Sequence, residues 1–384
     1  MRVGGGGIGG AAVIGAWLAM AAAGCASARP SRAPVARAAS TPAELIAEAR
    51  AEGLAAEDPL QIDAAMKAEI EAVVGRMGTP EERLKRLLRF LNDRMFMGFQ
   101  YASNRSLTAR EAYRQRSGDC IAYTHLFVSL ARHLGVPVYF VYVREVEGHY
   151  QRGGSYYLSS HVAVGHGHGP MAVVMDLAKQ APDWSLSLYN SIDDGTALAL
   201  YYNNLAVDAM MAGRLEEAER VLRFWRARRP NAVELHNNLG VLLNRQGRHA
   251  EALAALEEGI ALFPRYLPLY TNAIMAARAA GEQKKAIALV KRAQAVGQED
   301  PMLLLVSGMS LYQEGDLKGA AERLERAGEV LPDSPVIAAW LVRVYLGAGR
   351  REDGQEAFER VRKLEPGGRL EKDLRREFPE LQGI

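Results

Sequence analysis

The chain has 384 residues, room for two or three domains with sizeable cores. Lys and Arg number 47 against 45 Asp and Glu, so a formal net charge of +2 offers no global field to attract nucleic acid. Hydrophobic content of 49% and charged content of 24% describe a folded globular protein and leave its chemistry open.

The N-terminus, "MRVGGGGIGGAAVIGAWLAMAAAGC", carries one Arg, an apolar run from Ala11 to Ala23 and small residues before Cys25. The run is too short to span a bilayer and suits the apolar region of a signal peptide. "AAGC" resembles the lipobox of bacterial lipoproteins, with Ala22 where Leu is usual. That resemblance implies cleavage after residue 24, a lipidated Cys25 and an exported lipoprotein, in the outer membrane facing the periplasm. Cys120 then has no intramolecular partner in a compartment that oxidises thiols, because the chain has only two cysteines. Residues 25–40, rich in Ala, Pro, Arg and Ser, read as a flexible tether.

Folded structure is expected from residue 41. Thr41-Pro42 reads as an N-cap followed by Pro at the first helical position. "TPEE" gives a second start, with Thr79 capping and Glu82 reaching back. In the helix that follows, Leu84, Leu87, Leu88 and Leu91 share one face. A further helix opens at Cys120, with Leu126, Leu130 and Leu134 on one side, and Gly135 and Pro137 stop it. From Val136 the period changes to short β-branched and aromatic runs, "VPVYFVYVREVE", "YYLSSHVAVG" and "MAVVMDLA", which read as antiparallel strands. Helices followed by strands indicate an α+β domain over residues 41–190.

Beyond residue 195 the chain repeats itself. Gly213, Gly247, Gly281, Gly315 and Gly349 are spaced by 34 residues, as are Pro230 and Pro264, and Pro332 and Pro366; Gln298 stands where the remaining proline is due. Ala218, Ala252, Ala286 and Ala320 keep the same register, with Gly354 in the fifth repeat. This period, with Gly between two helices and Pro after the second, resembles the tetratricopeptide repeat. Five repeats over 199–366, a capping helix and a tail over 367–384 are expected to form an all-α solenoid. Its groove would hold a protein or peptide. Asn203 and Asn237, at the groove-facing fifth position of the first helix of a repeat, could bond an extended backbone, or stand as solvated polar positions.

Three residues suggest chemistry. Cys120 falls in the first turn of its helix, where unpaired N–H groups and the helix dipole favour an anion. His161 opens a strand, whereas His125 and His133 lie on the helix of Cys120. If the turn at 167–170 pairs His166 with Met171, Asp176 stands opposite His161, where a carboxylate would hold the imidazole. His166 and His168 lack further ligands at metal-site spacing, and neither a metal nor a cofactor is expected.

"AREAYRQRSGDCIAYTHLFVSLARHLGVPV" resembles the core block of the transglutaminase-like superfamily, "SHVAVG" its His block and "VVMDLA" its Asp block. The resemblance spans roughly residues 80–180 and implies a papain-like fold with Cys120, His161 and Asp176 as nucleophile, base and orienting acid. It departs at Val162-Ala163, where the family carries an aromatic. The family's second oxyanion donor comes from an upstream segment, here Gln100 or Tyr101. The implied activity is an acyl-thioester reaction on amide bonds, as peptidase or amidase with water, or as cross-linking transglutaminase with a Lys amine. The alternative is a repeat scaffold with a non-catalytic domain.

Overall fold

A computed structural model describes residues 40–382, apart from 103–104, 144–148, 153–154, 159–160, 168–171, 176–188 and 298–299. Cys25 and the N-terminal segment lie outside the described residues. The first described element is helix α1 (Pro42–Ala51), capped by Thr41, whose hydroxyl accepts from the Glu44 amide while Glu44 reaches back. Helices α2 (Ala64–Val73) and α3 (Pro80–Asn92) follow. The capping box foreseen at Thr79 is formed, with Glu82 accepting from the Thr79 amide at 3.0 Å. Leu84, Leu87 and Leu91 are buried on the inner face of α3. A two-residue strand β1 (Gln100–Tyr101), helix α4 (Ala109–Gln115) and strand β2 (Ser117–Gly118) lead into helix α5 (Cys120–His133).

Strands β3 (Val138–Val143), β4 (His149–Arg152), β5 (Ser155–Leu158), β6 (His161–His166), β7 (Val173–Met175) and β8 (Tyr189–Ile192) come next. One antiparallel sheet has the order β7-β6-β3-β8, while β4 and β5 form a separate hairpin. Phe140, Val162, Val164 and Met175 face the core shared with α5. Val141, Val143, Ala163 and Val174 make a small apolar layer on the other face. This alternation is the two-residue period of a strand covered on both sides. The ladder between β6 and β7 pairs His166 with Val173 and Val164 with Met175, which corrects by two residues the pairing with Met171 expected from the turn and removes the register argument that set Asp176 opposite His161. The tight four-residue turn assumed there is too short for the observed connection.

Five helix pairs follow: α6 (Asp194–Met211) with α7 (Leu215–Arg228), α8 (Val233–Arg245) with α9 (His249–Leu262), α10 (Leu267–Ala279) with α11 (Gln283–Gln294), α12 (Pro301–Glu314) with α13 (Leu317–Val330), and α14 (Pro335–Gly347) with α15 (Arg351–Leu364). Helix α16 (Arg369–Glu377) closes the array. All five periodic glycines have φ between 74° and 84°, and a Cβ on any of them would meet nothing within 4 Å. They are glycines for their left-handed backbone, not for lack of room. The periodic alanines pack the paired helices, and each is fully buried. In the fifth repeat a Cβ at Gly354 would lie 2.5 Å from a Leu346 methyl, so the approach of Leu346 leaves no room there for an alanine.

The α+β domain and the repeats are not separate bodies. One hydrophobic core runs from Leu45 through Leu126 and Tyr201 to Val306, uniting α1–α5, the sheet, the first three repeats and Leu303 and Val306 of α12. Repeats four and five and α16 have their own core, from Met302 to Leu381. The seam is dense: Trp225 stacks on Tyr202 with ring centres 4.7 Å apart, and the Tyr202 hydroxyl bridges the backbone of Glu57. Arg132 grips Asp194 with two bonds of 2.6 and 2.9 Å, and Arg228 pairs with Glu48 and Glu52.

Candidate active site

The turn before Cys120 is built by one strained residue and one small one. Helix α4 ends at Arg116, whose φ of 52° makes it the one non-glycine residue with positive φ among the described residues. Such strain persists where surrounding bonds fix it. Here the Arg116 carbonyl accepts from the Gln100 amide at 2.8 Å and the Gly118 carbonyl accepts from the Ala102 amide at 2.9 Å. The reversal lays Ser117 and Gly118 parallel to Gln100 and Tyr101. At Gly118 a Cβ would come within 2.5 Å of the Ala122 Cβ, so the Gly-Asp pair is required by the approach of the turn to its own helix. Asp119 then caps α5, its Oδ1 accepting from the Ala122 amide at 2.9 Å, while its own N–H donates to the Arg105 carbonyl.

Cys120 therefore stands in the first turn of α5, a free thiol 8% exposed. One turn further along, the Thr124 hydroxyl donates to the Val162 carbonyl at 3.1 Å. A helical turn advances 5.4 Å and a strand residue about 3.3 Å. The bond thus fastens α5 to β6 at one turn from Cys120 and one residue from His161. His161 is the first residue of β6, paired with Val143. Asp176 lies outside the described residues.

The other histidines are engaged elsewhere. His125 is wholly buried between the rings of Phe140 and Tyr201, its Nδ1 without a partner, and burial lowers its pKa to about 3. His133 meets Glu71 at 2.8 Å at the far end of α5. His166 is held by the Pro137 carbonyl at 2.7 Å, and His168 is outside the described residues. Gln100 and Tyr101 flank the Cys120 turn as described above; Tyr101 is 57% exposed, and the Gln100 side-chain Nε2 donates to the Gly98 carbonyl.

The transglutaminase-like superfamily model matches residues 68–171, and two tetratricopeptide-repeat models match 203–266 and 311–372. The chain joins a transglutaminase-like domain to a tetratricopeptide-repeat solenoid. Among solved structures it is similar to a thermophilic tetratricopeptide-repeat protein of Thermus thermophilus, at 22% identity over 48% of this chain and 100% of that one, with a TM-score of 0.41. It is also similar to pilF of Pseudomonas aeruginosa, at 18% identity over 47% of this chain and 82% of that one, with a TM-score of 0.40. A third, YrrB, described as having an unusual peptide-binding site, is 18% identical over 46% of this chain and 92% of that one, with a TM-score of 0.36. No curated protein matches the chain.

The transglutaminase-like domain is completed by residues outside the sequence motif. Ser106 is buried and donates to the second carboxylate oxygen of Asp119, and Asn204 of the first repeat donates to Ser106 at 3.1 Å. Burial raises the Asp119 pKa, opposed by its bonds with Ser106, the Ala122 amide and Asn204. Asn203 and Asn237 are neither open to a groove nor solvated: they are 3% and 4% exposed and give their amides to Asn204 and Asn238. The signal for Asn204 was present in the chain. Asn-Asn recurs at 203–204 and 237–238, and Thr-Asn at 271–272, in the 34-residue register; only the first of each pair lay at the position taken to face the groove.

Proposed function

We propose that the chain is an exported, membrane-tethered cysteine enzyme that acts on amide bonds, with a protein or peptide held by its repeats. The observation that carries this reading is the seat of Cys120, in the capped first turn of α5 and fastened through Thr124 beside the start of β6. In the proposed reaction the Cys120 sulfur, its proton passed to His161, attacks the amide carbonyl carbon. Oxyanion donors would be the Cys120 N–H, which the helix itself leaves unused, and a group from the Gln100–Tyr101 strand beside it. The C–N bond breaks as the amine leaves with the proton from His161. Water, deprotonated by the same imidazole, then cleaves the thioester to give a carboxylic acid and restore the thiol. Asp176 would orient His161. Both hydrolysis and cross-linking share the first half-reaction, and of the two hydrolysis is the preferred reading, on the hydrolytic uses that bacteria make of this superfamily.

Alkylation tests this. Iodoacetamide should label Cys120 faster than a free thiol at pH 6–7, and His161→Ala should slow it by about tenfold or more, with Asp176→Asn less severe. Equal rates in wild type and His161→Ala would remove the triad. Anchoring rests on the apolar run before Cys25 and is checked by radiolabelled palmitate, whose incorporation should vanish in Cys25→Ser; incorporation that survives refutes it.

A further inference from the structure

The repeats carry a line of asparagines that ends at the carboxyl beside Cys120. Asn272 in α10 donates to Asn237 Oδ1 at 2.8 Å; Asn237 donates to Asn238 at 3.1 Å, and Asn238 to Asn203 at 2.9 Å. Asn203 donates to Asn204 at 3.4 Å, Asn204 to Ser106 at 3.1 Å, and Ser106 to Asp119. Asp119 in turn accepts from the Ala122 amide in the first turn of the Cys120 helix. Steps of one residue within a helix alternate with steps of 35 residues between helices. The 34-residue repeat thus places one amide pair above the next.

Three properties set this line apart from a set of surface contacts. Every donor points the same way, toward the Asp119 carboxyl, so successive amide dipoles reinforce one another. All members but one are buried: Asn203, Asn237, Asn238 and Asn272 are each 6% exposed or less and Ser106 7%, while Asn204, the link between them, is half-buried. A broken link would therefore leave buried amides unsatisfied on both sides, which makes the line cooperative. It is also bounded. In the third repeat the Thr271 hydroxyl turns back to the Leu267 carbonyl, and the repeat position of Asn272 is Val306 in the fourth.

We propose that the first three repeats are part of the site itself: Asn204, Asn238 and Asn272 are positioning residues that hold Asp119, and through it the turn presenting Cys120. Whatever moves α8 or α10, including a peptide seated on the repeats, would then alter the nucleophile. The reactivity of Cys120 in this inference rests on the enzyme reading above; the coupling to Asp119 does not.

The test uses the full chain with Asn238→Leu, Asn272→Leu and a control, Leu222→Ala, which removes buried bulk from α7 without touching the line. Two readouts are taken: iodoacetamide labelling of Cys120 and native-state hydrogen exchange at the Ala122 amide. Both asparagine variants should slow labelling about fivefold and speed Ala122 exchange, as loss of one buried hydrogen bond would. Leu222→Ala, at an equal or greater loss of Tm, should leave both within twofold. In an Asp119→Asn background, Asn238→Leu should have little further effect, since sites that act through one another are not additive. Variants that match wild type, or that merely follow Leu222→Ala, overturn the proposal. If wild-type Cys120 labels no faster than a free thiol, the enzyme reading fails and Ala122 exchange alone decides: acceleration in Asn238→Leu sustains the coupling, and no change overturns it.

Discussion

Repeats two and four share a 34-residue code and the same left-handed glycine between their helices, yet their inner helices face different tasks. The position that is Asn204, Asn238 and Asn272 in the first three repeats is Val306 and Trp340 in the last two. Where the inner helices carry asparagines, the core beneath is continuous with the α+β domain; Val306 is the last residue of that core, and Trp340 packs against the separate core of the last two repeats. A repeat array is stabilised by each unit packing on its neighbour. Here the first unit's neighbour is α1 and α5, so the domain acts as the N-terminal cap of the solenoid. Helix α16 performs that task at the other end, covering α14 and α15 with Leu374, which is fully buried.

The sharpest break in this comparison is made by truncation. A chain cut after residue 192 loses Tyr201, Tyr202 and Trp225, which fill the seam against α1 and α5, and Asp194, the partner of Arg132. Fully burying one aromatic contributes about 1.5–3 kcal/mol, and a domain's total stability is of order 5–15 kcal/mol. Loss of the whole seam should therefore leave residues 40–192 without a cooperative melt. A chain cut after residue 297 loses the second core and, from the first, only Leu303 and Val306, and should keep a cooperative transition and wild-type labelling of Cys120. Circular dichroism melts of the two fragments decide it. A cooperative transition in the 40–192 fragment would show that the shared core is dispensable.

Much of this was legible in the sequence, for identifiable reasons. The repeat could be read because Gly213 and its equivalents answer a local demand, a positive φ that no other residue meets as easily, so the requirement leaves a mark at fixed spacing. Thr41 and Thr79 were readable for the same reason, since a cap and its partner lie three residues apart. The seat of Cys120 followed from a helix start. What could not be read depends on contacts between distant segments. The β6–β7 register turned on the length of one connection. Strand β8, which joins the sheet beside β3, has only four residues and no alternating pattern around it. The shared core joins Leu45 to Tyr201 and beyond, a matter of packing that no periodicity records. The asparagines were visible as residues. Their role was not, because it depends on which of two adjacent side chains faces the next helix.

The smaller effect that sharpens the comparison is a pH dependence confined to one region. The sequence has no histidine after His249, so the fourth and fifth repeats contain none. The first region buries His125 completely and His236 at 0% exposure, both with pKa lowered chiefly by burial. His125 is faced by the rings of Phe140 and Tyr201; Asp194, held by Arg132, is the one charge that opposes the shift. A base whose pKa falls on folding is neutral in the native state and protonated when unfolded. Between pH 6.5 and about 3 the unfolded chain binds the extra proton, so stability is complete above pH 6.5 and is lost as pH falls. From the size of the shift the loss is on the order of 5 kcal/mol at most by the acid end. His125→Leu should flatten urea stability between pH 6.5 and 4.5, before the carboxylates titrate, and should not lower it at pH 7, because the buried Nδ1 has no partner to lose. Hydrogen exchange over the same interval should speed up in α5 and α6 of the wild type while α14 and α15 hold their rates. Equal acceleration in both regions would mean that acid acts on the molecule as one body, and the division into two cores would carry no energetic weight.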